Sequence, residues 1–168
     1  MMNFVLSMFI VLVCARLTSA QTTKLEVETA YKHLLEIAKT AGYDGHVNER
    51  GQPLTGLKSR LQTSLLGSGQ TLEQAKAIQQ IRTNNVRSVA EGFYEMTHDK
   101  TGLVQELTFE PIKVTLNGEF AAMVESSVLF PPTDDGYQFG FKWIWHLRRA
   151  GTEWMAFDIH ETRFSKPP

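Results

Sequence analysis

The apolar positions of this chain recur with a helical period in its first half and with a period of two in its second half. The first helical pattern begins at the capping-box pair Thr23 and Glu26 and closes at Gly42, a residue that suits a helix end. We therefore expect an amphipathic first helix. Its apolar stripe consists of Val27, Ala30, Tyr31, Leu34, Ile37, Ala38 and Ala41.

Two further helices are predicted before the period changes. Region 43–56 is polar and rich in glycine, which is typical of a loop. A short second helix, ending near Gly67, carries Leu54, Leu57, Leu61 and Leu65. Thr71 and Gln74 then form a second capping box, and the apolar stripe that follows predicts a long third helix up to His98.

The second half of the chain predicts an antiparallel sheet, because β-branched and aromatic residues alternate with polar ones. The predicted strands span 103–116, 119–130, 137–148 and 153–164. Asn117 and Gly118 favour a two-residue hairpin turn, and Pro111 should place a bulge or a sheet edge in the first strand. Helices followed by strands predict an α+β fold, in which the helices cover one face of the sheet.

The first twenty residues have the pattern of a cleavable signal peptide. Their apolar run, residues 4–15, is too short to span a bilayer, and small residues precede the expected cleavage after Ala20. We therefore expect a secreted protein whose residues 21–168 form a single domain. The sole cysteine, Cys14, lies in this leader, so the mature chain should depend on its core rather than on disulfides.

Composition excludes several classes of function. Loss of Arg16 with the leader leaves 16 basic against 18 acidic residues, a formal charge of −2, and no basic patch suggests nucleic acid. We expect no membrane association after cleavage. The sequence has no phosphate-binding loop, nucleophile elbow or dinucleotide motif, and its histidines lack metal-ligand spacing. No cofactor and no metal are therefore predicted.

Strand alternation predicts a ligand pocket on one face of the last hairpin. If Leu147 pairs with Trp154, this face presents an aromatic cup whose predicted ligand-binding residues are Phe141, Trp143, Trp145 and Trp154. Asp158 and His160 should share the face. A carboxylate and an imidazole in an apolar cup could act as base and acid, so these two residues are the catalytic candidates.

The opposite face of the same hairpin predicts a contact between two copies of the chain. Its candidate dimer-interface residues are Ile144, His146, Met155 and Phe157. Ile159 should lie on this face too, and Glu161 and Arg163 are expected to be surface residues there. In the first hairpin, Glu110 would oppose Glu125 if no bulge intervened, and facing carboxylates could bind a cation or share a proton.

The C-terminal half resembles the nuclear transport factor 2-like superfamily. The likeness rests on the strand pair 139–160, with its short turn followed by Trp154, on the hairpin 114–122 and on the opening helix 23–42. It implies a cystatin-like cone, in which N-terminal helices pack on a curved antiparallel sheet. This fold is shared by ketosteroid isomerase, other isomerases, dehydratases, ligand binders and non-catalytic proteins, so it does not determine the function.

The catalytic acids of the known isomerases and dehydratases have no matching positions here, so none is carried over. We therefore expect a secreted, non-catalytic protein that binds a small apolar ligand in the cone or a protein partner on the sheet. One alternative is a small-molecule isomerase or dehydratase that uses Asp158 and His160. Another is an interaction domain that forms homodimers.

Overall fold

The computed structural model describes residues 24–63, 69–102 and 106–167. The expected signal peptide and Thr23 of the first capping box lie outside these residues. The described helices are α1, residues 24–41, a 3₁₀ turn, Leu57–Arg60, and α2, Leu72–Thr97. The strands are β1 (Thr108–Phe109), β2 (Lys113–Leu116), β3 (Ala121–Leu129), β4 (Gln138–Ala150) and β5 (Glu153–Lys166). Neither described helix is long and apolar enough to cross a bilayer.

The long helix begins where the capping box predicts. The Thr71 hydroxyl accepts a hydrogen bond from the Gln74 amide (3.2 Å), and the Gln74 side-chain oxygen accepts one from the Thr71 amide (3.0 Å). The predicted short helix is less regular. In the described residues it is a single 3₁₀ turn, whose Leu57 is buried in the core.

The strands form one open antiparallel sheet in the order β1, β3, β4, β5, with β2 also paired to β3. β1 and β2 follow each other along the same edge of β3, and Pro111 lies in the gap between them. The predicted break at Pro111 is therefore confirmed, since proline cannot donate a ladder hydrogen bond. The two helices pack on one face of this sheet, which confirms the α+β architecture.

The predicted two-residue turn at Asn117 and Gly118 is wrong. Leu116 pairs with Ala122, and the Asn117 amide donates to the Ala121 carbonyl (2.8 Å), so the loop is longer than expected.

This longer loop shifts the register by three residues, so that Lys113 rather than Glu110 faces Glu125. Lysines neutralise both carboxylates, because Glu125 binds Lys142 (2.6 Å) and Glu110 binds Lys166 (2.9 Å). The hypothesis of facing carboxylates is therefore wrong.

The last hairpin contains a bulge that changes the predicted faces. Leu147 pairs with Ala156 rather than Trp154, a two-residue shift that keeps the same face inward. His146 then pairs with Asp158, which leaves Phe157 as the extra residue of the bulge. Every residue of β5 after Phe157 consequently lies on the face opposite to the predicted one.

The bulge corrects the face assignment of five residues. Asp158 and His160 lie on the outer face of the sheet rather than beside Trp143. The residues that move to the inner, helix-covered face are Ile159, Glu161 and Arg163.

The burial of side chains explains why β5 adopts the bulge and this assignment of faces. Trp145 and its cross-strand partner Ile159 are 0% and 1% exposed, and the Tyr31 ring of α1 meets the Trp145 ring edge-on with centroids 5.4 Å apart. Without the extra residue, Ile159 would face outward and lose this apolar contact. Burying such a side chain stabilises a fold by about 1.5–3 kcal/mol.

We predict that Gly56→Ala destabilises the fold by about 3 kcal/mol, because overpacking against rigid neighbours is costly. A Cβ there would lie 2.4 Å from both the Gly45 nitrogen and the Tyr43 carbonyl oxygen. The matched control is Gly92→Ala in α2, whose Cβ would meet nothing within 4 Å beyond its own helix backbone and chain neighbours. Urea denaturation should show that this control gains about 0.5–1 kcal/mol. Wild-type stability of Gly56→Ala would contradict the packing of loop 43–56.

Candidate functional site

A cleft of about 480 Å³ opens between α2 and the inner face of the sheet. Helix α2 supplies one wall, and β4, β5 and the residue after β3 supply the other. The lining residues are Ser88, Val89, Glu91, Gly92, Phe93, Glu95, Met96, Phe130, Phe141, Trp143, Glu161 and Arg163. The volume lies within the range of small-ligand sites, about 300–1,000 Å³.

Four aromatic rings form a continuous surface in this cleft. Phe141 and Trp143 are alternate residues of β4 and therefore point to the same side of the sheet. Their rings stack with centroids 5.8 Å apart, Phe93 of α2 lies 4.6 Å from Trp143, and Phe130 lies 5.7 Å from Phe141. Phe93 and Trp143 are buried, at 2% and 3% exposure, so the aromatic surface that the cleft offers a ligand comes from the partly exposed rings of Phe141 and Phe130.

Two charged residues of β5 enter the cleft because of the bulge. The Trp143 indole N–H donates to Glu161 Oε2 (3.0 Å), and Arg163 Nε lies 4.0 Å from Glu161 Oε1. The guanidinium of Arg163 lies 5.3 Å from the centre of the Phe141 ring. Sequence alternation placed Glu161 and Arg163 on the opposite face, so both were missed as site residues.

Glu91 connects the helix wall of the cleft to the loop after α1. Its Oε1 accepts the Tyr43 amide N–H (2.7 Å), and its Oε2 lies 2.8 Å from His46 Nε2. Burial by itself would raise the pKa of Glu91, but the bonds from His46 and Tyr43 and the charge of His46 outweigh it and lower that pKa. The His46 ring also stacks on Tyr94, with centroids 3.6 Å apart, so α2 fixes this loop at two points.

The four predicted pocket residues do not share one cavity. Phe141 and Trp143 line the cleft between α2 and the sheet. Trp145 is fully buried in the core, and Trp154 lines a separate cavity of about 560 Å³ between α1 and the turn joining β4 to β5. The helices that pack on the sheet therefore separate the four aromatic residues that were predicted to form one cup.

Asp158 and His160 form the predicted pair, but they do so on the outer face of the sheet. Asp158 Oδ2 lies 3.2 Å from His160 Nε2, while Oδ1 accepts hydrogen bonds from the Asn85 side chain (3.1 Å) and the Ile159 amide (2.9 Å). Neither residue lines the aromatic cleft. The Asp158 carboxylate thus joins the edge of β5 to α2 and is separated by the sheet from the rings that were expected to bind a ligand.

The residues predicted to form a dimer interface do share the outer face, and all of them are partly exposed. They are Ile144, His146, Met155 and Phe157. The Phe157 ring lies between two guanidinium groups, 4.0 Å from Arg82 and 4.9 Å from Arg148. Burial, followed by the charge of neighbouring His160, lowers the pKa of His146. Among the described residues, no group of His, Cys, Asp and Glu side chains could hold a metal ion.

We predict that Glu91→Gln lowers the free energy of unfolding by about 1–2 kcal/mol at neutral pH, because the carboxylate loses its charge-assisted hydrogen bonds. Since the pKa of Glu91 is lowered in the folded state, its stabilisation is complete above the unfolded-state pKa of about 4.3 and disappears as the pH falls through the folded-state value. Urea denaturation at several pH values should show wild type and variant converging as the solution becomes acidic. Glu95→Gln, one turn further along α2, is the control, and a pH-independent difference for Glu91→Gln would contradict the prediction.

No protein-family model matches this chain, and no curated protein matches it. The likeness to the nuclear transport factor 2-like superfamily therefore stays a prediction from the strand pair 139–160, the hairpin 114–122 and the opening helix 23–42. The α+β architecture and the geometry of the cleft are the basis on which a function is inferred.

Proposed function

We propose that this chain is a secreted protein of the nuclear transport factor 2-like cone fold that binds a small, largely apolar ligand without chemical conversion. The observation that carries the proposal is the aromatic cleft between α2 and the sheet. Secretion rests on the predicted signal peptide, and the cone rests on the resemblance of the last hairpin together with helices packed on one sheet face.

The lining chemistry supports binding of an apolar ligand. Small-ligand sites combine mostly apolar and aromatic walls with a few polar groups that orient the ligand. The partly exposed rings of Phe141 and Phe130 supply such walls, and Glu161 and Arg163 supply polar groups at one side. A ligand that covered these two rings would remove apolar surface from water, which contributes about 25 cal/mol per Å² buried.

Gly92 supplies a second argument, because its presence in α2 has no packing explanation. A glycine in a helix interior costs about 1 kcal/mol relative to alanine. Glycine is retained at such positions when a neighbouring group approaches closely, yet a Cβ on Gly92 would meet nothing within 4 Å outside its own helix backbone and chain neighbours. Because Gly92 lines the cleft, its missing side chain instead enlarges the space available to a ligand.

The position of Asp158 and His160 favours binding over catalysis. An isomerase or dehydratase would need its acid and base beside the bound substrate, within hydrogen-bond distance of the reacting atoms. The pair lies on the outer face, and Asp158 Oδ1 is already bonded to Asn85 and to the Ile159 amide. The carboxylate thus has a structural role at the sheet edge.

We predict that Gly92→Leu reduces binding of the neutral fluorescent probe N-phenyl-1-naphthylamine at least about tenfold, because the new side chain fills the cleft. A tenfold change in affinity corresponds to about 1.4 kcal/mol. Ala77→Leu, on an exposed position of the same helix, is the matched control and should bind like wild type. Circular dichroism and thermal denaturation confirm that both variants fold. Unchanged, saturable binding by folded Gly92→Leu would refute the cleft as the binding site.

A second candidate function is self-association through the outer face of the sheet. The bulge adds Phe157 to the face that already carries Ile144 and Met155, and all three side chains are partly exposed, with the guanidinium groups of Arg82 and Arg148 against the Phe157 ring. Glu125, on the same face, is neutralised by Lys142. Two copies of this surface would therefore bring apolar side chains together. Glu125 would not be buried there as an unpaired carboxylate.

We predict that Ile144→Glu converts a dimer into a monomer in sedimentation velocity at micromolar concentration, because burying an unpaired carboxylate in an interface is costly. Thr162→Glu adds the same charge on the same face at an exposed position of β5 and should leave the dimer intact. A monomeric wild-type chain would exclude this second function and leave the cleft proposal unaffected.

A further inference from the structure

We infer that the ligand of the cleft is an organic cation, an amine or quaternary ammonium group attached to an apolar body. This inference rests on the proposed function, since it concerns the same cleft. It follows from the charge of the lining, from the arrangement of its rings and from the position of one arginine.

The charged side chains of the cleft are mostly acidic. Glu91, Glu95 and Glu161 line it, and Arg163 is the one cationic side chain among its lining residues. With these carboxylates ionised, the lining residues carry a formal charge of −2, and His46, which lies outside the lining 2.8 Å from Glu91 Oε2, offsets part of the Glu91 charge. A partly enclosed site with low-dielectric walls concentrates such a field, and the field attracts a cation and repels an anion.

The rings of the cleft are suited to a cation as well. The faces of Trp and Phe rings carry the negative part of the ring quadrupole and attract ammonium and guanidinium groups within about 6 Å. Phe93 and Trp143 are buried, whereas Phe141 and Phe130, with ring centres 5.7 Å apart, are partly exposed in the cleft. A positive group in the cleft can therefore contact these two rings, and the Trp143 indole N–H donates to the neighbouring Glu161 carboxylate at 3.0 Å.

The guanidinium of Arg163 is a cation that already lies beside an aromatic ring and a carboxylate of the cleft. Its guanidinium lies 5.3 Å from the centre of the Phe141 ring and 4.0 Å from Glu161, so one positive group contacts both an aromatic face and a carboxylate. Its side chain is 81% exposed, which means that few contacts hold it there. A ligand cation can displace this side chain into solvent and take over its two interactions, whereas an anion would need Arg163 to stay.

This competition gives a test whose direction differs for a cation and an anion. The probes share one apolar body and differ in charge: 2-(naphthalen-2-yl)ethylamine, 2-(naphthalen-2-yl)ethanol and 3-(naphthalen-2-yl)propanoate. Isothermal titration calorimetry at neutral pH and low salt measures each affinity directly. We expect the amine to bind at least about tenfold more tightly than the alcohol and the carboxylate to bind most weakly.

Two variants separate the contributions. Arg163→Ala should strengthen amine binding about threefold or more, because it removes the competing cation, and Glu161→Gln should weaken it about tenfold while keeping an acceptor for the Trp143 N–H. Lys166→Ala removes a positive charge from the same strand outside the cleft lining and should leave amine binding unchanged, which controls for net charge.

Each contrary outcome has a distinct meaning. If the alcohol binds as tightly as the amine, the ligand is not a cation, while the cleft remains a ligand site. The same holds if the carboxylate binds most tightly of the three probes and Arg163→Ala weakens its binding. If none of the three probes binds and N-phenyl-1-naphthylamine does not bind saturably either, the proposed function fails together with this inference.

Discussion

The extra residue at Phe157 determines which side chains of β5 face the helices and which face solvent. Before the bulge, Trp154 and Ala156 point into the core, and after it Ile159 does so. A regular strand cannot bury both Ala156 and Ile159 on one face, because they are three residues apart and side chains alternate. The bulge solves this conflict, and it also turns Glu161 and Arg163 toward the cleft.

The bulge leaves polar backbone groups at the edge of the sheet, and neighbouring segments satisfy them. The Ala156 carbonyl accepts the Gln62 amide N–H (2.8 Å), and the Ile159 amide donates to the Asp158 carboxylate (2.9 Å). Asn85 of α2 bonds to the same carboxylate. An exposed strand edge is a template for unwanted pairing, and these contacts protect it on both sides of the irregular residue. The Asp158 carboxylate therefore connects the strand just after the bulge to α2.

Local signals in the sequence predicted the helices and strands. The lining of the cleft depended on the bulge at Phe157, which such signals describe poorly. The capping box at Thr71 acts between residues three apart, and the break at Pro111 follows from the missing N–H of proline, so the local sequence reveals both. Which side chains of β5 face the helices depends on the packing of the whole sheet against two helices. A signal was nevertheless present, because the apolar residues Ala156 and Ile159 have odd spacing, which indicates an inserted residue between them. The division of Trp143 from Trp154 had no such signal, since it depends on where the helices cross the sheet.

The cleft brings together three features that packing alone does not require. Gly92 weakens the helix that forms one wall, the Glu161 carboxylate accepts the Trp143 indole N–H, and Arg163 keeps most of its side chain in solvent. A chain selected only for stability would carry a stronger helix former at position 92, since stabilising substitutions of this kind are readily available. The three residues come from two elements that meet only in the folded chain, yet they share one cleft. Their concentration there is what a binding site requires and what the fold by itself does not.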